Sequence, residues 1–302
     1  MSVVAGLALA ANWPDLLEVD MRAVYIDQYK LLPAMVPDIY GIQSSNKGYE
    51  RSTQVGAVPD HTEFMGKIDV IERTPGYDKT VTFTEFAAQI QIQRKLAADD
   101  QHRVVNRFGK GLATSANRSR EKLGANTFIL AFTYEPTDGD GTELCASDHP
   151  SRVDGVATQS NEGTLQFSAA NIETTRLAMY EFKNDIGEII TCNPNTLTIP
   201  RDLEQTGWEI INSKGKVDTA DNNQNFLSGK YNLMIWDRLT DANNWWMSDL
   251  SMQKDYLYWW NREPIQFFQD KDSDTLVAKY LSYYRCGISW EDWRFIYGNL
   301  VS

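Results

Sequence analysis

Residues 99–123 read DDQHRVVNRFGKGLATSANRSREKL and carry the longest helical pattern in the sequence. Two aspartates open the stretch, where the positive end of a helix dipole favours negative charge. Apolar residues then recur every four positions as one narrow stripe, formed by Val104, Phe108, Leu112 and Ala116. At 1.5 Å per residue such a helix is about 38 Å long. The stretch therefore predicts a long helix that ends before Gly124.

The rest of this predicted helix is basic. Between residues 94 and 122 there are eight basic and three acidic side chains. A surface of one charge sign is typical of an element that meets a partner of the opposite sign. The candidate contact residues on the helix are Arg103, Arg107, Lys110 and Arg118.

The sequence before the helix predicts a long two-stranded hairpin. Residues 79–85 (KTVTFTE) alternate with a period of two, residues 67–72 (KIDVIE) form another predicted strand, and TPGY at 74–77 is a turn signal. Two strands alone are marginally stable in water, so the hairpin must lie on a partner.

The charge of the hairpin is opposite to that of the helix, with seven acidic and four basic residues over 49–85. This predicts that the hairpin of one subunit lies along the helix of a neighbour. The alternative is two solvated faces that never touch. The candidate contact residues of the hairpin are Glu50, Arg51, Glu63, Lys67, Asp69, Glu72 and Lys79.

The remaining segments mix short helices and strands. Prolines break the first 45 residues into an arm with one helix at 16–30. Further predictions are a buried strand or helix end at 126–134, helices at 169–183 and 201–211, and strands at 189–192 and 197–199. A polar loop at 214–226 is suited to a surface tip, and its candidate contact residues are Lys214, Lys216, Asp218, Asp221 and Asn223.

Composition excludes several classes of protein. The 302 residues are 42% hydrophobic and 23% charged, which is typical of a folded chain of one or two domains. A formal charge of −12 opposes broad binding to nucleic acid. Three widely spaced cysteines predict no disulfide framework. The apolar run at 3–11 is too short to span a bilayer, so we expect no membrane association.

Catalytic and metal-binding motifs are weak throughout. Cys145 and His149 have a spacing that zinc can use, but no second ligand pair lies nearby in the sequence. The acids at 270, 272 and 274 lie in a predicted exposed turn. Adjacent tryptophans at 245–246 and 259–260 predict packing in two layers rather than a carbohydrate platform. We therefore expect no enzyme, cofactor or metal site.

The order of these segments resembles the major capsid protein of tailed double-stranded DNA phages, which has the Hong Kong 97-type α+β fold. The sequence LCASDHP at 144–150, followed by TQSN at 158–161, is similar to the Mu-type major head subunits. The final segment is also similar, with REP at 262–264 and DWR at 292–294.

The resemblance implies an icosahedral shell subunit that is built from the following parts. These are an N-terminal arm (1–45), an extended hairpin or E-loop (46–92), a P-domain with the long spine helix (93–186), an A-domain (187–271) and a C-terminal return (272–302). The loop at 214–226 would then lie near the symmetry axes of hexamers and pentamers.

The same resemblance implies partners. They are other copies of the chain, a portal protein, a decoration protein, and packaged DNA bound without sequence specificity, in a virion assembled in the host cytoplasm. No helical scaffolding region of about 100 residues precedes the arm in this numbering, which predicts a separate scaffolding protein or prior removal of that region. The alternatives are an encapsulin-like shell and, in another class, a carbohydrate-binding module or enzyme.

Overall fold

The structure, a computed structural model, describes residues 13–61, 63, 66, 75–93, 103–215, 224–272, 275 and 277–301. The helices are α1 (Trp13–Leu31), α2 (Val36–Ile39), α3 (Arg103–Ile129), α4 (Ala169–Tyr180), α5 (Glu204–Asn212) and α6 (Leu250–Tyr256). The strands are β1 (Gly41–Ser44), β2 (Tyr49–Val55), β3 (Pro75–Thr82), β4 (Thr84–Gln93), β5 (Glu162–Gly163), β6 (Thr196–Ile199), β7 (Asn232–Ile235), β8 (Trp245–Ser248), β9 (Leu257–Asp272), β10 (Val277–Trp290) and β11 (Ile296–Asn299). This is the predicted α+β class.

A four-stranded sheet in the order β1-β9-β10-β4 supports the two long helices. β9 and β10 are antiparallel, β10 pairs with β4 in the same sense, and β1 joins β9 in parallel. The apolar sides of α1 and α3 pack on this sheet, where Tyr25 lies 5.2 Å from Phe267 between ring centroids. Leu112 and Ala116 are buried, in agreement with the predicted stripe.

The second sheet, in the order β5-β11-β8-β6-β7, belongs to the main hydrophobic core. Its strands come from distant parts of the chain, and β11 lies between β5 and β8. All four residues of β6 and of β8 are buried. Trp246 packs edge-on against Phe128 and is stacked on Phe132 of the segment that follows α3.

The long helix α3 continues past its predicted end at Gly124. A Cβ atom at Gly124 would lie 2.8 Å from Cγ2 of Val36 and 3.2 Å from the Trp236 ring. The glycine therefore allows α2 to approach α3 closely and does not end the helix. The helix ends after Ile129, so residues 126–134 are a helix end followed by a turn.

The hairpin has different strands from those predicted. Its described part pairs β2 with β3 in antiparallel fashion, and Tyr49 lies opposite Thr82. The predicted turn at 74–77 is wrong, because β3 begins at Pro75. A Cβ atom at Gly76 would lie 2.6 Å from Gln54. The absence of a side chain at Gly76 therefore allows β2 and β3 to approach closely. The predicted strand at 67–72 lies outside the described residues.

The structure agrees with some of the smaller predictions and differs from others. The arm helix, α4 and β6 lie where expected, and the helix predicted at 201–211 begins with a 3-10 turn, Arg201–Leu203. The strand predicted at 189–192 is only an isolated bridge between Ile189 and Lys183. The predicted domain boundary at 271/272 falls within β9, which pairs with β10 up to Asp272. Within the described residues, no helix is long and apolar enough to cross a membrane.

Candidate assembly interface

The β2–β3 ribbon is attached to the body of the protein at its root, residues 78–82 of β3, and also at Gln54 and Gly76. Among the described strands, β2 and β3 pair only with each other. The loop after α3 holds β3, since the Gly139 amide donates to the Asp78 carbonyl at 2.9 Å. The Thr80 amide also donates to the Asp138 carboxylate at 2.6 Å. The root of the ribbon thus has fixed backbone contacts.

Lys79 is the buried cation of this root. Its ammonium lies 3.2 Å from the Asp138 carboxylate and 4.4 Å above the centre of the Trp290 ring. The residue is only 7% exposed. Burial lowers the pKa of Lys79, while the charge of Asp138 acts in the opposite direction. Lys79, a predicted contact to a neighbour, makes these contacts within its own chain.

Two further side chains hold the ribbon. Gln54 of β2 donates to the Asp292 carboxylate at 3.1 Å. Arg152 donates to the Gly76 carbonyl, and its guanidinium lies 5.1 Å from the centre of the Tyr77 ring. Both strands are therefore attached to the body, one through the segment after β10 and the other through the loop after α3.

The other predicted hairpin residues are placed as follows. Glu50 accepts from Ser45 and pairs with Lys47 at 2.9 Å, which holds its pKa below the usual value. Arg51 pairs with Asp78 across the ribbon in an exposed position. Glu63 is exposed. Lys67, Asp69 and Glu72 lie outside the described residues.

We predict that Lys79→Met loosens the root of the ribbon. The substitution keeps much of the buried stem but leaves the half-buried Asp138 without its cation, so unfolding should become easier by about 1–3 kcal/mol. Hydrogen exchange at the Thr80 amide should rise in parallel. The control is Arg51→Met, which removes one partner of an exposed pair and should change the free energy of unfolding far less. Equal effects of the two variants would contradict a structural role for the buried cation.

The predicted basic residues of α3 lie on one exposed face. Arg107, Lys110 and Arg118 are all exposed, and Lys122 extends the same row although the sequence interpretation did not single it out. The sequence contains a signal for Lys122, because it lies four positions after Arg118 and residues four apart on a helix share a face. The structure describes the backbone of Arg103 but not its side chain.

Next to the root, a buried histidine orders the loop after α3. His149 is 2% exposed, and its Nδ1 lies 2.8 Å from the Asp140 carboxylate. Its Nε2 lies 3.0 Å from Oδ1 of Asn161, whose amide group donates to the Leu144 and Ile296 carbonyls. Burial favours the neutral form of Asp140, but hydrogen bonds led by His149 bring its pKa below the usual value. The LCASDHP segment is therefore tied to β11.

The predicted axial loop is described only at its base. Lys214 is exposed, and an isolated bridge joins Gly215 to Gln224. The Asn225 side chain donates to the Ile210 carbonyl at 2.6 Å and the Ser213 carbonyl at 3.0 Å. Lys216, Asp218, Asp221 and Asn223 lie outside the described residues.

The described residues contain no group of three His, Cys, Asp or Glu side chains that could hold a metal. All three cysteines are buried, and burial raises the pKa of both Cys192 and Cys286 to about 12. Trp245, Trp246 and Trp259 are at most 2% exposed, as expected for core residues and not for a carbohydrate platform.

Comparison with known proteins identifies the family. Residues 76–299, from β3 to the end of β11, match the family model described as phage capsid protein. This chain belongs to the phage capsid protein family. A search of curated proteins gives no match.

Solved capsid structures are similar to this phage capsid protein. The mature capsid of bacteriophage PhiM1 is 12% identical over 90% of this chain and 88% of that chain, with a TM-score of 0.61. The bacteriophage JBD30 capsid is 13% identical over 69% and 92%, with a TM-score of 0.58. The capsid of a native GTA particle is 13% identical over 90% and 92%, with a TM-score of 0.55. Such identities show the shared fold alone.

These findings confirm three predictions. The fold is the Hong Kong 97-type capsid fold, the chain is a structural subunit of a phage capsid shell, and its place is the virion. The family match favours a phage shell over the encapsulin-like and carbohydrate-binding alternatives. The narrower resemblance to Mu-type subunits stays a prediction.

Proposed function

We propose that this capsid protein assembles through hexamers and pentamers into an icosahedral shell that encloses double-stranded DNA. The observation that carries the proposal is the β2–β3 ribbon, which has no third strand among the described residues. A ribbon of two strands needs another surface to be stable. A neighbouring subunit supplies that surface in a closed shell.

Within this assembly we assign the parts as the resemblance implies. The arm is 1–45, the E-loop 46–92, the P-domain 93–186 with α3 as spine, the A-domain 187–271 and the return 272–302. The continuity of β9 favours moving its whole length, Leu257–Asp272, to the P-domain side, because it shares a sheet with β4 and β10. The loop at 214–226 is proposed to meet its own copies around the axes.

The proposed partners are a separate scaffolding protein, a portal protein, a decoration protein and the packaged DNA, with assembly in the host cytoplasm. We further infer that the subunit acts without catalysis. The burial of the three thiols and of Trp245, Trp246 and Trp259 supports this inference, since none of these side chains is available to a substrate.

The test of assembly reverses charge on the predicted hairpin at 49–85, and we call the altered chain the ribbon variant. Glu63, Asp69 and Glu72 are changed together to lysine, which should leave thermal unfolding of the subunit nearly unchanged, because an extended ribbon adds little to the core. The yield of closed particles, counted by negative-stain electron microscopy, should fall, since weak contacts of about 0.2–1 kcal/mol repeat in every subunit.

The matched control reverses three exposed acids elsewhere, Glu181, Asp202 and Asp237. Normal particle yield from the ribbon variant at low salt, where charges are least screened, would contradict an electrostatic role for the ribbon. Failure of the unchanged chain to form particles with its scaffolding partner would contradict the proposed function itself.

A further inference from the structure

The exposed face of α3 is a single row of cations. From residue 106 to residue 123 the exposed positions are Arg107, Lys110, Gly111, Thr114, Arg118 and Lys122. At 3.6 residues per turn these six positions span an arc of about 120° along about 22 Å of helix. Among the buried positions between them, Gly109, Leu112 and Ala113 face α1 or the sheet. The helix thus presents four positive charges on one side.

No carboxylate offsets these charges among the described residues. The one acidic residue of the helix, Glu121, is buried, and it accepts hydrogen bonds from the Val36 amide and the Trp236 indole. No ion pair within the described part of the chain involves any of the four cations. The whole chain has a charge of −12, so the row is a local exception.

In the middle of the row, Gly111 and Thr114 carry no long side chain. A Cβ atom added at Gly111 would have no neighbour within 4 Å, and the Thr114 hydroxyl is bonded back to the Lys110 carbonyl. A partner can therefore approach the helix backbone between two pairs of long basic side chains. This shape suits a rigid, regularly charged partner.

We propose that this row, which we call the basic face (Arg107, Lys110, Arg118 and Lys122), contacts the phosphate backbone of packaged double-stranded DNA. The inference rests on the proposed function. Duplex DNA carries one negative charge per about 1.7 Å of its axis, so a 22 Å row meets phosphates in any register. Arginine and lysine contacts to phosphate give affinity without reading base sequence. The face that bears this row is then the inner surface of the shell.

The competing partner is the ribbon of a neighbouring subunit, which the sequence alone suggested. Most of its described carboxylates already have cations within the chain. Among the described acids of the predicted hairpin at 49–85, Glu50 pairs with Lys47, Asp78 with Arg51, and Glu85 with Arg285, which leaves Asp60 and Glu63. A partner with an unneutralised row of charges fits the basic face better.

The test places a DNA-cleaving reagent in the middle of the basic face. Thr114→Cys carries a tethered iron chelate that cuts nearby DNA by hydroxyl radicals. Labelling is specific because the native Cys145, Cys192 and Cys286 are at most 3% exposed. The control is Thr174→Cys, an exposed threonine of α4. In DNA-filled heads we expect several-fold more cleavage from position 114 than from position 174, and equal or absent cleavage would overturn the proposal.

A charge variant separates the two partners. Changing the four residues of the basic face to glutamine should leave the yield of particles intact and weaken retention of DNA in filled heads on heating. The matched control neutralises four exposed cations elsewhere, Arg22, Lys30, Arg201 and Arg238. Loss of retention in the control as well would show a general charge effect and overturn the specific role of the face.

A rescue experiment tests whether the predicted hairpin of one subunit contacts the basic face of another. The combined variant carries Arg107→Glu, Lys110→Glu and Arg118→Glu together with Glu63→Lys, Asp69→Lys and Glu72→Lys. Restored particle formation, relative to the ribbon variant alone, would show that the two surfaces meet and would overturn the proposal. We expect no rescue. Because particle formation is scored separately from DNA contact, failure of this inference leaves the proposed assembly function intact.

Discussion

Replacing Glu121 with alanine should lower the free energy of unfolding by about 3–5 kcal/mol, since each unsatisfied buried donor costs about 1–3 kcal/mol. The carboxylate accepts from the Met35 amide at 3.1 Å, the Val36 amide at 3.3 Å and the Trp236 indole at 3.1 Å. It joins the arm, the spine helix and the segment after β7. Urea denaturation of the unassembled subunit measures the loss.

Two control variants test whether the loss of stability comes from the unsatisfied donors. Glu121→Gln keeps one oxygen acceptor and should lose about half as much stability. Glu181→Ala removes an exposed carboxylate beside α4 and should change stability by about 0.5 kcal/mol or less. A Glu121→Ala variant as stable as Glu181→Ala would mean that the three donors find water or other acceptors.

The second large effect is expected from Trp246→Ala. The indole is 2% exposed, and its ring centroid lies 5.6 Å from that of Phe128 and 6.0 Å from that of Phe132. Removing it leaves a cavity between β8 and the end of α3, and a buried Trp→Ala change costs about 3–5 kcal/mol. Denaturant unfolding of the unassembled subunit measures the cost.

The matched control is Trp208→Ala on α5, since that tryptophan is 62% exposed. Its removal should leave the stability of the free subunit within about 0.5 kcal/mol of the original. Similar losses from both variants would contradict the placement of Trp246 at the centre of the core.

The sequence predicted the elements whose signal is local. The stripe that includes Leu112 and Ala116 predicts α3, and the first helix of the proline-rich arm is also where expected, although the arm contains a second, short helix, Val36–Ile39. The end of α3 was predicted wrongly, because a single sequence does not distinguish a glycine at a close helix contact from a glycine at a helix end. Only the position of Val36 beside Gly124 distinguishes them.

Long-range contacts left no comparable signal. Glu121 resembles any acid of a charged helix, and its partners lie 85 to 115 positions away along the chain. Lys79 was assigned to a neighbouring subunit on charge alone, yet Asp138 and Trp290 enclose it. In both cases a charged side chain is buried because several segments converge on it, which a pattern of residue types does not record.

The position of β11 between two other strands of its sheet has a consequence for the timing of synthesis. Because Ile296–Asn299 lies between β5 and β8, a nascent chain that has not reached residue 299 cannot close that sheet, whatever its earlier helices have done. Contacts between residues so far apart also form slowly. Chains released early by the ribosome would therefore lack a finished core, and a growing shell would incorporate only subunits whose translation has passed this strand.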